Sequence, residues 1–256
     1  MTEYDYLGYT RQRKIQSVPD AREAIRRMQR AYLEDGRSPS KALFRDLRTR
    51  EEAIFALRQV SLWARNFPRW CANVMERCPY LEVRQKLIKD MFDEEIGDQW
   101  GKTPHYLLLS RLIQALGAAP DDVDATRPLP TVYLVLCTFD EMTRTRHWLV
   151  GLQALVAVEH LTKPASAEET VAFWQERFGL SRDELMFFWV HGPADEEHAG
   201  EGMEKLIDGY LERFPHLLDE VVEVADYAIQ AYRMRNESIV EAIREQRRQR
   251  RGMSSR

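Results

Sequence analysis

The sequence predicts an all-α protein, a single bundle of about seven helices. Three observations carry that. Apolar residues recur at helical spacing in almost every segment of the 256 residues. No alternating strand run of useful length appears. The helical segments are punctuated by Gly and Pro and joined by short loops, as in a bundle.

The elements follow in chain order. VPDAREAIRRMQRAYLEDG (18–36) carries an apolar stripe and stops at Gly36. TREEAIFALRQVSLWARNF (49–67) keeps the same period and runs toward Pro68, a residue that lacks the N–H a helix interior needs. CPYLEVRQKLIKDMFDEEIG (78–97) follows Pro79 and ends at Gly97. TPHYLLLSRLIQALG (103–117) has Thr103 as N-cap, Pro104 in the first turn and Gly117 as stop. LPTVYLVLCTFDEMTRTRHWLVGLQALVAVEHL (129–161) is apolar over wide arcs and reads as one long central helix. SRDELMFFWVHGPADEEHAGEGMEKLIDGYLERF (181–214) opens on Ser181 and Glu184, a capping box. PHLLDEVVEVADYAIQAYRMRNESIVEAIREQ closes the set. The bundle domain is placed at residues 1–240 and an Arg-rich tail at 241–256.

Composition excludes several classes. An apolar fraction of 44% with 30% charge suits a globular protein, and a mean hydropathy of −0.50 argues against membrane spans. MTEYDYLGYTRQRK has no apolar leader core, so a cytoplasmic location is expected. Cys71, Cys78 and Cys137 form no C-x-x-C pair and read as reduced thiols. The net charge of −4 conceals a basic end, where EAIREQRRQRRGMSSR carries six Arg against two Glu. Without interleaved aromatic residues this tail reads as a solvated helix end, not a nucleic-acid surface.

Polar residues on apolar faces point to chemistry. His191, Asp195 and His198, within WVHGPADEEHAG, are spaced i, i+4, i+7, within about 60° on one helix face. Gly192-Pro193 should kink that helix. Glu159 ends the apolar run LVGLQALVAVE, Glu95 ends DMFDEE, and His105 begins the next helix across a short loop. One such residue is ordinarily a satisfied core group. Three carboxylates and three imidazoles buried together would cost several kcal/mol per charge, roughly, unless a metal compensates them. Mixed imidazole and carboxylate donors without thiolates suit iron, with manganese as the alternative, and six donors suit two M²⁺ ions. No H-E-x-x-H zinc motif and no paired E-x-x-H motif of the ferritin-like proteins occurs.

These residues resemble a known family. H-x3-D-x2-H inside FFWVHGPADEEHAGEG, a Glu thirty-two residues upstream of it, and DEEIG…PH before that are similar to the haem-oxygenase-like di-iron oxidases and oxygenases. That group includes pyrroloquinoline-quinone synthase and thiaminase-type proteins. The likeness spans roughly residues 40–235. It implies a haem-oxygenase-like bundle with Glu95, His105, Glu159, His191, Asp195 and His198 as the metal ligands. Glu94 offers a second carboxylate, but the ten-residue gap to His105 favours Glu95. In the family two Fe²⁺ activate O2, which then oxidises a small amine, amino acid or carboxylate by N-oxygenation, C–C cleavage, desaturation or decarboxylation. Some members instead make para-aminobenzoate from one of their own tyrosines, and cofactorless relatives keep the bundle without metal.

Phe187, Phe188 and Trp189, with Trp148 three turns before Glu159, are expected to wall the site against water. Arg111, Arg144 and Arg146 are candidate counter-charges for an anionic substrate. The expected partners are a small-molecule substrate, an external electron donor and a second copy in a homodimer, with neither nucleic acid nor membrane among them.

Overall fold

A computed structural model describes residues 14–34, 43, 46–97, 102–162, 167–190 and 201–254. No strand occurs among the described residues, and the all-α expectation holds. Eleven helical elements, not about seven, have described bounds. They are α1 (Val18–Glu34), α2 (Arg50–Arg77), α3 (Leu81–Glu95), α4 (His105–Ala115), α5 (Pro120–Asp124), α6 (Pro130–Thr145), α7 (Trp148–Thr162), α8 (Ala167–Phe178), α9 (Glu201–Arg213), a 3₁₀ turn (Pro215–Leu217) and α10 (Leu218–Ser254). None is long and apolar enough to cross a membrane among the described residues.

Two differences from the expected elements have clear causes. The helix predicted to run toward Pro68 continues through it to Arg77. Phe67, Pro68, Trp70, Cys71 and Val74 are all buried there, and that apolar packing offsets the hydrogen bond that Pro68 removes. The helix predicted as continuous over 129–161 instead breaks at Arg146, whose ψ of 167° is extended. The hydroxyls of Thr143 and Thr145 bond back to the carbonyls of Phe139 and Glu141, and His147 Nδ1 accepts the Leu149 N–H at 3.2 Å to start α7. Gly151 permits the resulting hairpin. A Cβ there would sit 3.1 Å from Met142 O and 3.2 Å from Val74 Cγ2.

Helix α7 is buried along Trp148–Glu159 and is the centre of the molecule. It packs on α10, α6, α2 and α1. One core forms around it from Ile25, Trp70, Leu87, Phe139, Leu155, Ala228 and their neighbours. A second core gathers Leu57, Leu109, Trp174, Leu185, Phe187, Phe188 and Ile239. The Arg-rich end continues α10 to Ser254. Arg247 pairs there with Glu52 at the start of α2, and Arg248 pairs with Glu241 and Glu245.

Candidate metal centre

The site begins at the end of α3. Asp90 and Glu94 are one turn apart and share a helix face, and both point inward. Gly97 then turns the chain with φ +115°, a conformation only glycine adopts cheaply, and a Cβ would collide with Thr103 N at 2.3 Å. Across that loop α4 opens with His105, 1% exposed, whose Nδ1 lies 3.0 Å from Glu94 Oε1. The neutral ring with its proton on Nδ1 would donate to this carboxylate, which fixes both tautomer and ring orientation.

Glu95, the expected partner of His105, is exposed at the end of α3, and Glu94 takes its place beside the ring. The reason is rotation. Successive helical residues differ by about 100°, so one carboxylate of the Glu94-Glu95 pair must face away from His105.

Glu159, 9% exposed, projects from α7. Its neighbourhood is reported by Cys71 of α2. Burial first, and then the charges of Asp90, Glu159 and Glu94, push the Cys71 thiol well above its usual range. Carboxylates from α3 and α7 therefore act on one buried point, with His105 of α4 bonded to one of them. Lys86 approaches Asp90 at 3.7 Å on the outer side. His191, Asp195 and His198, together with the expected Gly192-Pro193 kink, lie outside the described residues. Among the described residues alone, no group of three or more His, Cys, Asp or Glu is arranged to hold a metal.

Of the expected surroundings, Trp148, Arg144 and Arg146 stand away from this point. Trp148 packs against Tyr80 and Tyr210, with centroids at 5.5 and 5.1 Å. Eleven residues separate it from Glu159, about 16 Å along the helix, so it stands at the far end of α7. Phe188 packs on Trp174 at 5.2 Å in the second core, and the Arg182 guanidinium covers Trp189 at 4.3 Å. Arg144 and Arg146 are tied to Asp140, Glu141 and Glu220 at the Trp148 end, and Arg111 is exposed. Sequence reasoning missed Asp90 and Cys71. The i, i+4 spacing of Asp90 and Glu94 was the available signal for the first.

This fold and this donor set define a class. A family model described as iron-containing redox enzyme matches residues 55–233, more than half of the chain, and the protein belongs to that family. Curated relatives named 4-aminobenzoate synthase match it. That of Chlamydia trachomatis serovar D is 29% identical over 154 residues, 60% of this chain and 64% of the relative. That of Chlamydia muridarum is 28% identical over 166 residues, 64% of this chain and 67% of the relative. The match thus spans just under two thirds of the first relative's length. Among solved structures, a CADD-like protein of unknown function from Nostoc punctiforme superposes with TM-score 0.69 at 19% identity, covering 88% of this chain and 99% of the other. A TenA homologue from Pseudomonas syringae pv. tomato gives TM-score 0.68 at 10% identity, covering 87% and 92%. A domain of unknown function from Shewanella denitrificans is described as having a haem-oxygenase-like fold, and gives TM-score 0.68 at 13% identity over 90% and 95%. These likenesses establish the haem-oxygenase-like fold.

Proposed function

We propose that the protein is a two-iron, O2-using oxidase or oxygenase acting on a small amine, amino acid or carboxylate. Glu94, in place of Glu95, joins His105, Glu159, His191, Asp195 and His198 as the ligands. The observation that carries this is the largely buried Glu94–His105 pair, 3.0 Å apart, with Asp90 and Glu159 also buried and both acting on the Cys71 thiol. The donor set fits the group. Oxygen and nitrogen donors without a cysteine thiolate suit ferrous iron, and the concentrated negative charge calls for cations.

Two ferrous ions, when bound, would supply the electrons and open positions that O2 needs. The chain's own part is positioning. Glu94 holds the His105 ring in one orientation, α7 presents Glu159 from a buried and rigid helix, and the apolar core around them keeps bulk water away. An external electron donor would restore the reduced state between turnovers.

A second reading is favoured by the curated relatives, which are named 4-aminobenzoate synthase. In that case the chain would itself be consumed at a tyrosine, and whole-protein mass spectrometry after incubation with Fe²⁺, reductant and O2 would show a lost side chain. Both readings need iron. Anaerobic loading should give about two irons per chain, with O2 uptake that a chelator abolishes. A chain that takes up no iron, or consumes O2 equally in chelator, would end both.

A further inference from the structure

Helix α10 carries a charge that the site described above does not use. Arg235 is 2% exposed, in the middle of the bundle. Its guanidinium carbon lies 4.7 Å from the Trp63 ring centroid and 4.3 Å from that of Tyr232. Its Nε and Nη2 both donate to Asn236 Oδ1, at 3.0 and 2.9 Å, and Asn236 Nδ2 donates to the Tyr32 hydroxyl at 3.2 Å. Nη1 is buried and has no hydrogen-bond partner, and no described carboxylate forms an ion pair with this residue.

That arrangement is expensive as it stands. A guanidinium keeps its charge in a protein interior, and burying it without a counter-ion is strongly unfavourable. Two aromatic faces offset part of this through cation–π attraction, and they do not satisfy the in-plane N–H groups of Nη1. Asn236 is neutral and occupies one edge of the fork. Nη1 is held in place by the two rings and by the asparagine, and its N–H groups have no acceptor among the described residues. Rigid, desolvated and directional donors of this kind grip carboxylates.

We infer that Arg235 binds the carboxylate of the protein's small-molecule ligand, a planar or aromatic acid that can lie against Trp63 and Tyr232. This rests on the iron-dependent reading above and names the substrate class of that same site. Position supports it. Gln29 donates to the carbonyl of Ala157, two residues from Glu159. One turn further along α1, Tyr32 meets Asn236, the neighbour of Arg235. On the other side Trp63 precedes Cys71 by eight residues of α2, about 12 Å, and Cys71 senses Glu94 and Glu159. An acid held at Arg235 would thus extend toward the carboxylates and His105.

The test uses the full chain in chelator, with benzoate as probe and benzamide as its neutral isostere, read by titration calorimetry. Benzoate should bind about ten- to hundred-fold more tightly than benzamide, the range of a charge-assisted hydrogen bond. Arg235→Met should erase that preference while circular dichroism stays native. Arg235→Lys, which keeps the charge but not the fork, should weaken benzoate by about ten-fold and serves if the methionine variant does not fold. Equal binding of the two probes to the unaltered chain would overturn the inference, as it would if a carboxylate of the chain itself neutralised Arg235. Undiminished benzoate binding in a folded variant would also overturn it. Because binding is measured without metal, its failure leaves the iron stoichiometry untouched, and a chain without iron leaves the binding result standing.

Discussion

Replacing Arg247 with methionine should lower the stability of the bundle by about 2–3 kcal/mol. Arg247 lies thirty residues into α10, and its fork closes on Glu52 in the first turn of α2, with Nε to Oε1 and Nη2 to Oε2 both at 2.7 Å. Nη2 also donates to Asp46 O at 2.6 Å. The side chains are 16% and 7% exposed, so this is neither a solvated pair nor a deeply buried one. Solvated pairs are worth about 0.2–1 kcal/mol, whereas removing one member of a buried pair costs about 3–5 kcal/mol. Glu52 would keep the Arg48 N–H at 2.7 Å and the positive end of α2, which brings the cost below the buried limit. For a chain of this size the melting temperature should fall by about 5–10 °C.

Thermal unfolding followed by circular dichroism measures this, and a cycle with Glu52→Gln isolates the pair, with a coupling of about 1.5 kcal/mol or more expected. The acid limb adds a check. The Arg247 hydrogen bonds hold the Glu52 carboxyl below its usual range against the opposing effect of burial. Its contribution is therefore present above about pH 4.5 and lost as pH falls through the depressed value, and Arg247→Met should flatten that loss. A melting shift under about 2 °C, or no coupling, would refute the reasoning and return the basic end to the status of a solvated tail.

The remaining predictions are shorter. Burial holds the His147 imidazole below its ordinary range, against the pull of Glu220, and its neutral Nδ1 caps α7. The unfolded chain binds the proton more readily, so stability should be full above about pH 6.5 and decline as pH falls through the lowered value. His147→Asn, which caps without titrating, should remove that slope below about pH 6.5, and an unchanged slope would contradict the assignment. Glu94→Gln should lose most of the bound iron while Glu95→Gln keeps it, measured by metal analysis after anaerobic loading. The reverse pattern would restore Glu95 as the ligand.

Local signals were legible wherever they decide structure locally. The Ser181–Glu184 capping box is present in both directions, with the Ser181 N–H donating to Glu184 Oε2 at 2.7 Å and the Glu184 N–H to Ser181 Oγ at 3.3 Å. The Gly117 stop of α4 also read correctly, whereas its N-cap is Pro104 and not Thr103. The break between α6 and α7 was not legible, because no Gly or Pro marks Arg146 and the hairpin is set by packing at Gly151. Pro68 misled in the opposite sense, since a buried apolar face outweighed one missing hydrogen bond. At the site, linear spacing chose Glu95, and only the rotation of α3 against α4 puts Glu94 beside His105. Arg235 could not be singled out, because RMRNES reads like any charged turn of a helix until Trp63, from the other half of the chain, is packed against it.

Iron-edge anomalous diffraction from crystals of the anaerobically iron-loaded chain tests the central claim most directly. Two anomalous peaks should appear inside the bundle, bounded by the side chains of Glu94, His105 and Glu159, with Glu95 outside their reach. An iron-loaded crystal with no peak among those three residues, or with its iron only at surface carboxylates, would contradict the account.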